Sequence, residues 1–187
     1  MRVYIVRHGE SVSNQQSIWT GWADVPLTEK GKADAKHAGE MLKGLVFDKI
    51  YTSDLMRAIQ TAEIAIPNCQ YEVTPLAREI NVGKLEGQPF SVVAGEISAI
   101  VANEGYQMFG GESRADVSKR IQTFMGILEA SNYENVAVFA HGGWLRGFLD
   151  AVMGIPMPRK KIRCNNCTVA IFEYEKSAWR LHSWINL

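Results

Sequence analysis

Two of the four histidines in this chain follow short apolar runs that are typical of buried β-strands. His8 comes after the run from Arg2 to Val6, and His141 comes after the run from Asn135 to Ala140. Each histidine is followed directly by glycine, which lets the backbone approach a ligand closely. Open α/β sheets bind ligands at the carboxyl ends of their strands. If both runs are parallel strands, both histidines therefore lie at the ligand-binding edge.

Two arginines are predicted at the same edge. Arg7 immediately precedes His8, and Arg57 comes one helical turn after a second strand that ends near Thr52. The planar guanidinium binds phosphate oxygens bidentately and stays charged, so this set of side chains indicates a phosphate site. Nearby cations disfavour imidazolium. We therefore expect a lowered pKa for the histidines and a neutral ring that can act as a nucleophile.

Phosphoryl transfer to or from an alcohol also needs an acid, because an alkoxide leaving group has to be protonated. The irregular segment from Pro75 to Pro89 offers two carboxyl groups, Glu79 and Glu86. The residues by themselves leave the choice between them open.

Five segments of the chain carry recognisable motifs. They are residues 6–11 with Asn14, residues 20–31, residues 53–62, residues 76–87 and residues 140–143. In this order they resemble the histidine phosphatase superfamily, the group that includes the cofactor-dependent phosphoglycerate mutases. A lone Arg-His-Gly would be weak evidence, whereas five blocks in family order are specific.

The resemblance implies that His8 is the nucleophile and forms a phosphohistidine. It implies that Glu79, rather than Glu86, donates the proton and later activates water. Three further side chains are implied to bind the phosphoryl oxygens and stabilise the transition state: Arg7, Arg57 and His141. Four residues are implied to line the phosphate pocket: Asn14, Thr20, Gly21 and Gly142. Neither a metal nor another cofactor is implied.

Strand and helix patterns alternate along the chain. This indicates an α/β fold, a three-layer α/β/α sandwich with a mostly parallel central sheet, in one domain spanning residues 1–187. Thr28 is predicted to cap a helix, and Ser53 or Asp54 to cap the next one. Further helices are predicted over residues 90–101, 113–129 and 142–153, and a final pair of strands over residues 168–174 and 179–185.

The composition limits the classes of partner. Twenty basic residues balance twenty acidic ones, so the net charge favours neither nucleic acid nor an anionic membrane. The apolar runs are shorter than the ~18 residues that a membrane helix needs. No signal-peptide core precedes Arg7, and three cysteines do not make an even disulfide set. We expect a cytoplasmic protein that acts on a small phosphorylated molecule, with an oligomeric state that the sequence does not indicate.

Two other patterns each allow an ordinary structural interpretation and a functional one. Cys164 and Cys167 lack a second ligand pair for zinc, and they precede a strand instead of opening a helix, so a metal or redox role is disfavoured. The basic cluster Arg159–Lys161 with Arg163 is either a solvated loop or a pocket rim that attracts a second anionic group. Three residues of a glycine-flanked loop are candidates for substrate contact: Tyr106, Met108 and Phe109.

Three functions fit the motifs. The first is a small-molecule phosphatase, the second is a phosphoglycerate mutase, and the third is a phosphate-binding module without catalysis. The short spacing between Glu79 and His141, and the pair Gly143-Trp144, differ from the mutase pattern and favour the phosphatase. The presence of both histidines and of Glu79 argues against the binding module.

Overall fold

A six-stranded mixed sheet forms the centre of the computed structural model, which describes residues 1–155 and 162–187. In chain order the strands are β1 (Arg2–Arg7), β2 (Lys49–Thr52), β3 (Glu72–Val73), β4 (Asn135–Ala140), β5 (Val169–Glu175) and β6 (Ala178–Ile185). Across the sheet the order is β3-β2-β4-β1-β5-β6. The pairings among the first four of these strands are parallel, and β5 and β6 add antiparallel strands at one side. The carboxyl ends of β1, β2 and β4 therefore meet at one edge.

Helices cover both faces of the sheet. In the described part of the chain they are α1 (Val12–Gln15), α2 (Glu29–Leu42), α3 (Met56–Ala65), α4 (Gly95–Glu104), α5 (Arg114–Glu129) and α6 (Gly142–Met153). Buried residues of α2 and α3 share one apolar cluster with the sheet, and those of α5 and α6 share the other. These are the three layers that the sequence predicts, so the predicted fold class is confirmed.

Strand β4 shows why the sheet needs a layer on each face. Val136, Val138 and Ala140 pack into the cluster on the α5 and α6 side, while Ala137 and Phe139 pack into the opposite cluster. Successive side chains of a strand point to opposite faces. A strand buried on both faces is therefore apolar throughout, which is the pattern that predicted β4.

The predicted cap of α3 is wrong. Leu55 occupies the N-cap position and makes no cap hydrogen bond through its side chain. The N–H of Met56, at the start of the helix, is instead accepted by Oδ1 of Asp24 at 2.6 Å. Ser53 and Asp54 have other partners, because Ser53 Oγ lies 2.8 Å from a ring nitrogen of His141 and Asp54 forms an ion pair with Arg78. Ser53 and Asp54 thus bond to side chains from other segments, although Ser53 Oγ also accepts the N–H of Leu55 at 3.3 Å.

The helix predicted over residues 90–101 has the wrong bounds. A short 3-10 turn covers Phe90–Val92, and α4 begins only at Gly95, whose φ of +54° favours glycine. The bounds of α5 are as predicted, with the Ser113 side chain accepting a hydrogen bond from the Asp116 N–H at 3.0 Å. No helix in residues 1–155 or 162–187 combines the length and apolarity that a membrane crossing requires.

One prediction falls outside the described residues, the basic cluster Arg159–Lys161.

Candidate active site

A cavity of about 360 Å³ opens where β1 and β4 end. Seven of the nine predicted site residues line it: Arg7, His8, Asn14, Thr20, Arg57, Glu79 and Gly142. The other two, His141 and Gly21, contact this set from behind. The chain thus brings the predicted residues together at one place, although they are spread over more than a hundred positions of sequence.

The ring of His8 is held in one tautomer by the backbone. His8 is 4% exposed, and its Nδ1 lies 2.7 Å from the carbonyl oxygen of Gly9. A carbonyl oxygen only accepts, so Nδ1 carries the proton and Nε2 keeps its lone pair. Burial, followed by the charges of Arg57 and Arg7, holds the pKa of His8 well below its ordinary value. The sequence predicts the contribution of the arginines, and burial is a larger one.

His141 is completely buried behind His8, with the two ring centres 5.1 Å apart. Its Nε2 lies 2.8 Å from Ser53 Oγ, and that oxygen accepts a hydrogen bond from the Leu55 N–H at 3.3 Å. The hydroxyl proton of Ser53 is therefore free to be donated to Nε2. In residues 1–155 and 162–187, Nδ1 of His141 has no hydrogen-bond partner. Burial, then the charge of Arg57, holds the pKa of His141 well below its ordinary value.

Arg57 is 1% exposed and is held by backbone oxygens. Its Nη1 donates to the carbonyl of Ala23 and its Nη2 to the carbonyl of Gly21, both at 2.9 Å. Burial is the main cause that lowers the pKa of Arg57, to about 10. The Glu86 carboxylate accepts the N–H groups of Trp22 and Ala23 and so orders the loop that carries these carbonyls. Gly21 and Glu86 therefore help to position Arg57, Gly21 through its carbonyl oxygen and Glu86 by ordering the loop.

Three backbone N–H groups, two of them at the start of α6, bind the carboxyl group of Glu79. Its Oε1 accepts the N–H groups of Ile80 at 2.9 Å and Trp144 at 3.1 Å, and its Oε2 accepts the N–H of Gly143 at 3.0 Å. A Cβ on Gly143 would collide with Oε1 of Glu79, so only glycine leaves room for this carboxyl group. Of the two acids that the sequence leaves open, Glu79 lines the cavity and Glu86 is turned to the Trp22 loop.

The segment that carries Glu79 is clamped from two helices. Arg120 of α5 donates to the carbonyl oxygens of Leu76 and Glu79 and forms an ion pair with Glu112 at 2.9 Å. The indole N–H of Trp144 on α6 donates to the carbonyl of Leu76 at 2.7 Å. The sequence offers no motif for Arg120, because its partners are carbonyl groups about forty residues away.

Asn166 is a second residue that the sequence does not predict. Its Nδ2 donates to the carbonyl oxygen of His8 at 3.1 Å and to Asn14 Oδ1 at 3.0 Å. The neighbouring carbonyl of Cys164 accepts a hydrogen bond from Nη1 of Arg7. The segment between the two cysteines therefore supports the loop after β1 through its backbone and its amide side chain.

The thiols themselves take no part in this support. Cys164 and Cys167 are free and buried, and burial raises the pKa of Cys167 to about 12, so its thiol stays protonated. In the two described ranges, no group of three or more His, Cys, Asp or Glu side chains is arranged to hold a metal ion.

The remaining wall of the cavity is mostly apolar and aromatic: Ile18, Trp19, Ile80, Val82, Phe90 and Tyr106. The ring of Trp19 packs edge-on against Phe90 and Tyr106, with centroid distances of 5.1 and 5.7 Å. Of the three loop residues predicted to touch substrate, Tyr106 lines the cavity, Met108 is exposed, and Phe109 packs against the core. The cavity therefore combines charged side chains with an apolar, aromatic wall.

Comparison with known proteins places the chain in a family. The sequence model of the histidine phosphatase superfamily (branch 1) matches residues 3–187, so the chain belongs to this superfamily. The family that the motifs predict is therefore confirmed.

Three similar proteins carry different names. "Probable phosphoglycerate mutase GpmB" from Salmonella paratyphi A is 29% identical over 194 residues, covering 99% of this chain and 90% of that protein. A phosphoserine phosphatase from Entamoeba histolytica, solved with 3-phosphoglyceric acid, is 25% identical with a TM-score of 0.86, covering 100% of this chain and 97% of the other. A proposed alpha-ribazole-5'-P phosphatase from Escherichia coli is 25% identical with a TM-score of 0.85, covering 100% and 96%. These names agree on phosphorylated substrates and differ in the reaction.

Proposed function

We propose that this chain hydrolyses a small phosphomonoester through a phosphohistidine formed on Nε2 of His8. The observation that carries the proposal is the state of this ring. The carbonyl oxygen of Gly9 lies 2.7 Å from Nδ1 and keeps the proton on that nitrogen, and burial holds the pKa of the ring well below its ordinary value. The ring lines a cavity together with Arg7 and Arg57. A neutral imidazole whose Nε2 lone pair is free is the nucleophile that attack on phosphorus needs.

The phosphoryl group is bound by Arg7 and Arg57, neither of which has a carboxylate partner among the described residues. His141 adds a donor, since its unpartnered Nδ1 carries the proton when Ser53 donates to Nε2. Fixed cations at the equatorial oxygens stabilise the charge of the transition state. Because the arginines supply this charge, the proposed reaction is independent of a metal.

In the first step, Nε2 of His8 forms a bond to phosphorus while the bond from phosphorus to the ester oxygen breaks. Glu79 donates its proton to that oxygen, so the leaving group departs as an alcohol. The carbonyl of Gly9 stabilises the positive charge that develops on the ring through the Nδ1 proton. General acid catalysis of this kind contributes ~10²–10⁴ in rate, most of it for leaving groups that are poor.

In the second step, Glu79, now a carboxylate, removes a proton from water. The water oxygen attacks phosphorus and the bond to Nε2 of His8 breaks, which releases inorganic phosphate. The three backbone N–H groups that hold the carboxyl group keep it in place for both steps. The same residue thus serves as acid and then as base.

A phosphoglycerate mutase is the second candidate, because the Salmonella relative carries that name. Both reactions share the phosphohistidine and differ in whether water or bound phosphoglycerate takes the phosphoryl group. The short connection between Glu79 and His141 and the apolar wall around Trp19 support the phosphatase. The phosphoserine phosphatase neighbour has the same fold at similar length, which also supports it.

The test is an assay with two substrates in excess EDTA. Wild-type protein and His8→Ala are offered p-nitrophenyl phosphate, and in parallel 3-phosphoglycerate with its bisphosphate primer. We expect phosphate release by the wild type alone and no 2-phosphoglycerate. Rapid isomerisation with little free phosphate would instead identify a mutase. Turnover by His8→Ala within tenfold of the wild type would refute the nucleophile.

A further inference from the structure

A third arginine, Arg146, lines the candidate active site and has no role in the chemistry described above. It lies one helical turn after Gly142 on α6. In residues 1–155 and 162–187 its side chain makes one long hydrogen bond, from Nη1 to the Gly142 carbonyl at 3.5 Å, while its buried Nε has no partner. It forms no ion pair with any described residue. Arg146 thus adds a positive charge to the site, while most of its N–H groups have no hydrogen-bond partner among the described residues.

The acids near Arg146 are held by other groups. Asp150 pairs with Arg114 at 3.0 Å, and Glu112 pairs with Arg120 at 2.9 Å. Glu79 accepts three backbone N–H groups. Residues 156–161 read Pro-Met-Pro-Arg-Lys-Lys, so they contain no carboxylate side chain. Arg146 and Arg7 line the same cavity. Burial is the main cause that lowers the pKa of Arg7, and the charge of Arg146 acts in the same direction.

Arg146 stands where two cavities meet. A second cavity of about 420 Å³ lies beside the first, lined by residues of α5 and α6 such as Ser113, Gln122 and Gly147. Four residues line both cavities: Ile80, Tyr106, Gly143 and Arg146. Arg146 is the charged side chain in this shared set. A substrate that extended from His8 into the second cavity would pass this shared set of residues, which includes Arg146.

We propose that Arg146 is a specificity residue that binds a second anionic group on the leaving group of the substrate, at the entrance to the second cavity. The proposal rests on the proposed phosphatase function. A guanidinium that has no carboxylate partner among the described residues and lines the same cavity as another arginine is stabilised by an external oxyanion, which its planar fork binds with two hydrogen bonds. A carboxylate and a phosphate share this chemistry.

The experiment compares substrates that differ only in the charge of the leaving group. Carboxyphenyl phosphate carries a second anion, and carbamoylphenyl phosphate has nearly the same size and is neutral. Both are tested as meta and para isomers, with phenylene bisphosphate as the arm that has a second phosphate. The enzyme forms are the wild type, Arg146→Gln and Arg146→Lys, and the readout is kcat/KM for each substrate.

For the wild type we expect kcat/KM at least about tenfold higher for an anionic substrate than for the carbamoyl compound, in keeping with a charged hydrogen-bonded pair. Arg146→Gln should bring this ratio to about one while kcat/KM for the carbamoyl substrate stays within threefold. Arg146→Lys should restore part of the preference. Whether the carboxylate or the bisphosphate gains more identifies the group that is bound.

Two results would overturn the proposal. An equal loss on charged and neutral substrates in Arg146→Gln would make Arg146 a third ligand of the transferred phosphoryl group. A wild type that hydrolyses all the substrates without preference would leave Arg146 no part in selectivity. Failure of the proposed function looks different, because the wild type would then release no phosphate from the neutral substrate either.

Discussion

The replacement Gly143→Ala tests the placement of Glu79 without removing any functional group. A Cβ at this position would collide with Oε1 of Glu79 and lie 2.9 Å from Cδ1 of Ile80. Ordinary contacts between such atoms are about 3.5 Å or longer, so the end of the Glu79 side chain has to withdraw by roughly 1 Å. The atoms that must move belong to side chains, and alanine is a better helix former than glycine. The fold should therefore remain stable.

The expected magnitude follows from this displacement. A misplacement of about 1 Å at a reacting group can lower a rate ~10²-fold, which corresponds to about 2.7 kcal/mol. We expect this loss in kcat/KM of Gly143→Ala for an alkyl phosphate, whose leaving group needs a proton. For p-nitrophenyl phosphate the loss should stay below about fivefold, because that leaving group departs without an acid.

The assay has a control glycine on α5, Gly126, which lines neither cavity. A Cβ on Gly126 would have no heavy atom within 4 Å, so Gly126→Ala makes the same change within a helix without crowding Glu79. It should affect the alkyl and the aryl substrate equally. The reasoning would be refuted if Gly143→Ala lowered both substrates by the same factor, or if the alkyl phosphate were hydrolysed at the wild-type rate by a folded variant.

Three further changes have defined outcomes. Arg57→Lys should lower kcat/KM for p-nitrophenyl phosphate by ~10²-fold or more, because a compact ammonium lacks the planar fork that binds two backbone carbonyls through separate nitrogens and presents further N–H groups to a phosphoryl oxygen. Asn166→Ala should lower kcat and Tm together, since its amide NH₂ group shares two protons among three oxygens of the loop after β1, and a hydrogen bond contributes about 1 kcal/mol. The buried rings of His8 and His141 have lowered pKa values, so the unfolded chain binds more protons than the folded one below about pH 6.5. Stability should be full above that pH and decrease as the pH falls below it.

Each of these has a direct check. For Arg57→Lys, near-wild-type kinetics would place this side chain outside the phosphoryl site. For Asn166→Ala, an unchanged Tm with unchanged kcat would mean that the loop is held without it. For the histidines, thermal unfolding between pH 5 and 8 is compared with His8→Gln, whose neutral side chain should give a less steep loss of stability in acid. The same slope in both proteins would contradict a buried, neutral His8.

The histidines and arginines of the site could be placed from sequence because their positions depend on local rules. His8 and His141 each follow the end of a strand, and the carboxyl ends of parallel strands meet at one edge. Arg57 lies on the first turn of the helix after β2. The order of strands and helices along the sequence is therefore enough to predict that these residues lie near one another at one edge of the sheet.

The supporting residues could not be placed in this way. Asn166 contacts the loop after β1 from about 158 positions away, and Arg120 binds carbonyl groups about forty residues away. Their side chains satisfy backbone groups, so no spacing of polar residues signals them. The prediction of the α3 cap was wrong for a related reason, because the hydroxyl group of Ser53 bonds to the ring of His141, which is 88 positions away in the sequence. The start of α4 depends on the positive φ of Gly95, and Phe90, although apolar, remains exposed before it.

The most direct measurement is to trap the covalent intermediate. Glu79→Gln should form the phosphoenzyme from ³²P-labelled p-nitrophenyl phosphate and hydrolyse it slowly, since it keeps the nucleophile and lacks the base. After rapid quenching in alkali, the label should be stable in base, labile in acid, close to one per chain, and located on His8. Its absence from His8, or its appearance on His141 or on a hydroxyl side chain, would contradict the proposed phosphohistidine.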